Sequence, residues 1–338
     1  MGRRDIFDLV TLGLLWGVAF LFMRVAVPEF GAFALIEVRV ALAAAILVPL
    51  ALARGRFPEI LAHWKPIAAM GVLHYAIPFC LFAWALLELS AGYASIINAS
   101  SPLFAGIVAR FWIGERLEPG RIAGLVLGIG GVALLVSEKL LATGAPQVLP
   151  IAATVAAAFC YGFAAVFARQ RLAGVNPTAV AGGSMAAAAI VLMPFSLWLL
   201  PASLPSAGAW GMAAALGVVS TALAFVLYFR LIASAGPSKA ITVTFLIPVF
   251  AVACGAFFFG ETVTPAMVVG GVVIAAGTSL ATGLVKLRLP GPRTRGLVVR
   301  GAIIALAIVA GDDTPPDFHN AAAPSPAHSI ASSISARA

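Results

Sequence analysis

Ten long apolar runs, separated by short polar joints, account for nearly all of the first 285 residues. Their limits are 6–27, 32–53, 66–88, 93–112, 120–137, 149–170, 177–200, 209–231, 238–259 and 265–285. Each is 18 to 24 residues long, the length an α-helix needs to cross the hydrocarbon core of a bilayer. The joints carry helix breakers: Pro28, Gly55 with Pro58, Pro119-Gly120, Gly144 with Pro146, Pro177, Pro201 with Pro205, Gly236-Pro237 and Pro265. The pattern predicts an all-α polytopic membrane protein of ten transmembrane helices. Composition closes off the alternatives. With 62% hydrophobic and 10% charged residues, a water-soluble fold has too little polar surface to cover itself. Cys80, Cys160 and Cys254 lie far apart inside apolar runs, so they read as buried small hydrophobes and not as a disulfide framework or metal site.

The net charge of +8 would suggest nucleic acid in a soluble chain. Here it sorts by loop. Of 21 Lys and Arg, 18 fall in alternate joints and the two ends: the Arg3–Arg4 segment, the joints holding Arg54, Arg116 and Arg171, the joint around Lys239, and the tail. The opposite joints hold Lys139, while Arg24 and Arg39 lie within spans. The positive-inside rule makes the rich side cytoplasmic. Both termini are then inside, as an even number of spans requires, and no nucleic-acid partner is implied.

The chain repeats itself. At an offset of 146, Pro102 matches Pro248, Phe104 matches Phe250, Gly114-Glu115 matches Gly260-Glu261, Pro119 matches Pro265, Gly71 matches Gly217 and Gly131 matches Gly277. At 145, Trp16-Gly17 matches Tyr161-Gly162, Arg24 matches Arg169 and Pro49 matches Pro194. The expected units are residues 1–140 and 141–286, with a largely disordered cytoplasmic tail over 287–338. Five spans is an odd number, so the second unit enters the membrane upside down. Inverted repeats recur in secondary transporters, where two similar halves exchange conformations around a central site.

The run Gly92-Tyr-Ala-Ser-Ile-Ile-Asn-Ala-Ser-Ser-Pro-Leu-Phe followed by Gly114-Glu-Arg-Leu, and its echo Pro237-Ser-Lys-Ala, Pro248-Val-Phe and Gly260-Glu-Thr-Val, resemble the EamA family of the drug/metabolite transporter superfamily. Leu15-Trp16-Gly17 and Arg39 fit the same pattern, and the resemblance covers about residues 8–284. It implies ten helices with both termini cytoplasmic and a central cavity lined by spans 1–4 and 6–9. It also implies export of small metabolites, amino acids among them, across the inner membrane.

Polar residues stranded inside the spans are the functional candidates, because a charge facing lipid is costly and must turn inward or pair. Trp16, Arg39, His74, Tyr75, Asn98 and Tyr161 are the expected substrate-binding set. Pro102 and Pro248, each mid-span, are expected hinges, since proline removes a backbone hydrogen bond. Glu37 is expected to pair with Arg24 across helices. Glu115 and Glu261 read as boundary and capping residues at opposite faces; the alternative is that, at the rims, they latch a gate by pairing with nearby Arg or backbone donors. The glycines of span 5 (Gly124, Gly128, Gly130 and Gly131), with Gly13 and Gly17, fit small-xxx-small contacts and would allow a homodimer through those helices. A membrane-embedded enzyme would need clustered His, Asp or Glu at one interface; the four His (His63, His74, His319 and His328) do not supply it. Neither catalysis nor a cofactor is expected. A non-transporting scaffold is the remaining alternative, hinted at only by the glycine-rich span 5.

Overall fold

The computed structural model describes residues 2–143 and 147–285. The expectations for the tail after residue 286 lie outside the described residues. The described chain is helical: α1 (Arg3–Phe30), α2 (Ala32–Ala53), α3 (Trp64–Ala85), α4 (Ala91–Ile113), α5 (Pro119–Thr143), α6 (Val148–Arg171), α7 (Pro177–Trp198), α8 (Ala207–Ala235), α9 (Val243–Phe259) and α10 (Pro265–Ala281). A short helix, Phe57–Ala62, precedes α3. Eight of these helices are long and apolar enough to span a bilayer, and α9 and α10 are shorter apolar helices of 17 residues each. Large apolar side chains such as Ile190, Phe257 and Val272 stay exposed on the outside of the bundle; water would penalise that surface, and lipid does not.

Helix starts follow local chemistry. Ser90, Asn176, Ser206 and Thr264 each accept a hydrogen bond from a first-turn N–H of α4, α7, α8 and α10 respectively, meeting donors that a helix cannot satisfy internally. Helix ends matter more for the site. Gly114 and Gly260 terminate α4 and α9 in the left-handed region, with φ of 72° and 60°, which costs glycine nothing. The reversal lets the next N–H bond back along the helix, Glu115 to the Ala109 carbonyl and Glu261 to the Gly255 carbonyl. Both glutamates are thereby held at the helix rim.

The packing is two-fold. α2 lies against α7 and α5 against α10, each helix meeting its own repeat equivalent. α1 packs on α9 just as α6 packs on α4. The contacts correspond residue by residue. A Cβ on Gly17 would meet the Phe250 side chain at 2.7 Å and the Ile247 carbonyl at 3.0 Å; one on Gly162 would meet the Phe104 side chain and the Ser101 carbonyl, both at 2.7 Å. Phe250 and Ile247 sit 146 residues beyond Phe104 and Ser101. These close approaches explain why both positions are glycine. Direction follows from contacts as well. Near its C-terminal end α1 reaches, through Arg24, the Leu89 carbonyl just ahead of the N-terminal end of α4, whereas α6 ends beside the C-terminal end of α4 through Arg169 and Glu115. The equivalent helices α1 and α6 therefore run in opposite directions.

The helices are not uniform rods. α3 and α8 contain π-helical turns at Gly71–Ala76 and Ala215–Leu223, repeat-equivalent positions. Such turns recur at functional sites because they rotate the side-chain register locally. α4 is interrupted at Ala99–Ser100, immediately before Pro102. There Ser100 Oγ donates to the Ile97 carbonyl and Ser101 Oγ to the Asn98 carbonyl, each at 2.6 Å. Pro248 differs: it sits inside a continuous α9, and the break in that segment falls earlier, at Ile241–Thr242.

Candidate functional site

A cavity of about 480 Å³ occupies the middle of the bundle, a volume typical of small-molecule sites. Its wall includes Trp16, Arg39, His74, Asn98 and Tyr161, together with Pro102. Tyr75 lies one layer back. It is 3% exposed and packs edge-on against His74, Phe79 and Phe225. Pro248 does not reach the wall. Met23 and Phe79, absent from the expected set, line the same space. An apolar side chain facing a cavity looks no different in sequence from one facing a core, so neither carries a usable signal.

The inner end of the cavity is aromatic. Trp16 packs on Tyr228 and Phe225 at centroid distances of 5.3 and 5.9 Å. Tyr161 contacts His74 at 4.9 Å and stacks on Phe82 at 5.9 Å. Arg39 is set into this lining at 5% exposure. Its Nε donates to Thr221 Oγ1 at 3.0 Å, Nη1 lies 3.4 Å from the Met23 sulfur, and the guanidinium covers the Phe79 ring at 3.6 Å. Among the described residues, no carboxylate forms an ion pair with it. Placing an Arg at the centre of a membrane helix costs about 3 kcal/mol on insertion scales, and a thioether and one hydroxyl are weak compensation. His74 Nδ1 is also buried without a hydrogen-bond partner.

The two ends of the cavity differ. One mouth is formed by Glu115, Arg121, Arg169, Ile241, Thr244 and Thr282. The repeat-equivalent glutamate, Glu261, lies outside the cavity wall and is almost completely buried. Glu261 accepts from Arg24 Nη1 at 2.5 Å and from the N–H groups of Ala91 and Gly92 at 3.0 and 3.2 Å, so a carboxylate caps the N-terminus of α4. The expected Arg24–Glu37 pair is not formed: Arg24 reaches Glu261 instead, and Glu37 Oε2 is left without a partner. Glu115 makes the repeat-equivalent pair with Arg169 at 2.7 Å and adds Arg121 at 2.9 Å, but in a more exposed setting. The bond from Arg169, then that from Arg121, holds the Glu115 carboxyl below its ordinary pKa. That pair is therefore intact at neutral pH and is lost only as acid protonates the carboxylate. Gly255 explains part of the asymmetry. A Cβ there would lie 2.5 Å from Glu261 Oε2, and the equivalent position in the first half is Ala109.

The glycines expected to mediate helix contacts do so within the chain. Gly124, Gly128 and Gly131 face α10 or Leu103, and Gly13 and Gly17 face α9; around Gly130 there is open space.

An apolar helical bundle around a central cavity is the architecture of a multi-pass membrane protein. The chain belongs to the EamA-like transporter family, which it matches twice, over residues 6–137 and 148–283. It is similar to a probable terminal-alkyne amino-acid exporter of Streptantibioticus cattleyicolor, with 27% identity over 82% of this chain and 93% of that one. It is also similar to a probable amino-acid metabolite efflux pump of Salmonella typhimurium, with 25% identity over 82% of this chain and 94% of that one. A solved crystal structure shares the fold, with a TM-score of 0.61 and 23% identity over 86% of this chain and all of that one.

Proposed function

We propose that this transporter exports small metabolites, amino acids or related compounds, by alternating access around the central cavity. The observation that carries the reading is a central cavity open beside Glu115 and Arg169; in this reading the opposite end is sealed by the repeat-equivalent Glu261, a buried carboxylate held by a half-exposed Arg24 and the N-terminus of α4. The relatives named as amino-acid exporters support the substrate class. In this reading residues 1–140 and 141–286 are the two inverted units. The membrane is the inner (cell) membrane, with both termini cytoplasmic on the strength of the charge distribution. The Glu115–Arg169 mouth then faces the cytoplasm, where an exporter loads. Trp16, Arg39, His74, Asn98 and Tyr161 contact the substrate, and Tyr75 braces His74 from behind. Pro102, at the break in α4, and Pro248 in α9 are the hinge positions. A homodimer through α5 would have to use the face around Gly130. No catalytic step is part of this reading.

Flux assays in proteoliposomes test it. Wild-type protein should move at least one compound of an amino-acid panel in a saturable manner. His74→Ala and Asn98→Ala should each lower flux by roughly tenfold, the loss of about one to two polar contacts, with normal yield and elution from gel filtration. Absence of saturable flux across the panel would sink the transport reading. Normal flux in both variants would remove these two residues from the site.

A further inference from the structure

The inner end of the cavity has an unbalanced charge. Arg39, 5% exposed, contributes a guanidinium whose partners among the described residues are Thr221 Oγ1, the Met23 sulfur and the Phe79 ring, none of them charged. Among the described lining residues the one carboxylate is Glu115, which sits at the mouth and is already taken by Arg169 and Arg121. Glu37 is two residues from Arg39 but projects from another face of α2 and is not part of the wall. The guanidinium fork therefore keeps donors free for a planar, bidentate acceptor, for which a carboxylate is the best match. The orphan Nδ1 of His74 lies in the same wall. Around these two groups the lining is aromatic: Trp16, Phe79, Tyr161 and Tyr228.

From this we infer that the preferred ligand is a net organic anion. A single carboxylate sits on Arg39, and an aromatic or aliphatic body lies against Trp16, Tyr161 and Tyr228. The inference rests on reading this cavity as the transport site, and it adds a charge rule to that reading. An anion neutralises the buried cation. A zwitterion of the same body must also place an ammonium where no carboxylate awaits it, against aromatic faces and neutral oxygens such as that of Asn98. An amine without the carboxylate meets like charge.

Three probes that share one body separate these cases: 3-phenylpropionate, phenylalanine and phenethylamine, titrated calorimetrically into the purified full chain in detergent. The expected order is 3-phenylpropionate tightest, phenylalanine weaker by roughly tenfold, and no measurable binding of phenethylamine, since each misplaced or unpaired charge costs at least a factor of ten. Arg39→Gln should weaken 3-phenylpropionate by roughly tenfold or more, and Arg39→Lys, which keeps the charge but not the fork, by several-fold. If Arg39→Gln does not fold, the wild-type order and the lysine variant still decide the matter. Equal affinity for the three probes, tighter binding of phenylalanine or phenethylamine, no binding of any probe to wild type, or unchanged affinity in a folded Arg39 variant would each overturn the inference. Flux measured in parallel keeps the two readings apart. Anion-selective binding without flux of any compound leaves this inference standing and sinks the transporter reading. Saturable amino-acid flux with charge-blind binding does the reverse.

Discussion

Glu261→Gln should unseal the closed end of the cavity. The substitution keeps the shape and one acceptor oxygen but removes the charge that Arg24 and the N-terminus of α4 both bind. Hydrogen bonds to an ionised group in a buried setting contribute about 1.5–3 kcal/mol each. A conservative net loss of about 2 kcal/mol shifts a two-state equilibrium roughly 30-fold. The readout is thiol labelling. Ala19, on the cavity wall, is changed to cysteine in a chain lacking Cys80, Cys160 and Cys254, and an impermeant reagent is applied to vesicles of known sidedness. In Glu261→Gln, labelling from the Glu261 side should rise roughly 30-fold, and labelling from the Glu115 side should fall.

Glu115→Gln is the built-in comparison. Its pair with Arg169 is repeat-equivalent, yet it is more exposed: Glu115 keeps 27% of its side-chain surface and Arg169 54%. Solvent-screened pairs contribute about 0–1 kcal/mol, so Glu115→Gln should change labelling by less than about fivefold. Equal effects from the two variants would mean that burial of Glu261 does not set the resting state, and the proposed seal would have to be abandoned.

Much of this arrangement is legible in the order of residues alone. The ten apolar runs match the ten helices to within six residues at either end because bilayer thickness fixes both length and polarity. The two Gly-Glu pairs are legible because a helix stop at a membrane rim needs a residue tolerant of positive φ followed by a polar group. Partner choice is not legible. Arg24 and Glu261 stand 237 residues apart, and nothing local in either half prefers Glu261 to Glu37. The repeat does constrain the answer, since Arg24 and Arg169 are equivalent, as are Glu261 and Glu115. A pair found at one end has its counterpart at the other. Tyr75 shows a different limit. Consecutive residues of a helical turn point in different directions, and the π-turn Gly71–Ala76 shifts the register further, so when His74 faces the cavity its neighbour turns away and braces it instead. The interruption of α4 beside Pro102, without an equivalent interruption at Pro248, is likewise invisible in sequence, because both prolines sit in similar apolar surroundings. Hydroxyls take up carbonyls at both breaks, Ser100 and Ser101 those of Ile97 and Asn98, Thr242 and Thr244 those of Lys239 and Ile241, so the hydroxyls do not set where each break falls relative to its proline.

The seam between α5 and α10 should be the least tolerant part of the fold. A Cβ added at Gly277 would stand 2.3 Å from the Gly128 backbone nitrogen and 2.7 Å from the Gly124 carbonyl oxygen. Backbone atoms of a neighbouring helix cannot rotate away, so the two helices must separate. Apolar burial offers little compensation in lipid, where helix association depends on close packing. Gly277→Ala should therefore destabilise the purified protein by about 3 kcal/mol, the upper end of overpacking costs in well-packed cores, and lower the melting temperature in detergent by several degrees. Gly130→Ala is the control, on α5 but facing away from the seam. A Cβ there meets nothing within 4 Å, and alanine is the better helix former by about 1 kcal/mol. Its melting temperature should hold or rise. A Gly277→Ala protein as stable as Gly130→Ala would show that the seam has slack, and α5 and α10 would then be free to slide past each other instead of forming a rigid brace. If the contrast holds, motion between access states must be carried by the helices around the cavity, with α5 and α10 moving together as one body.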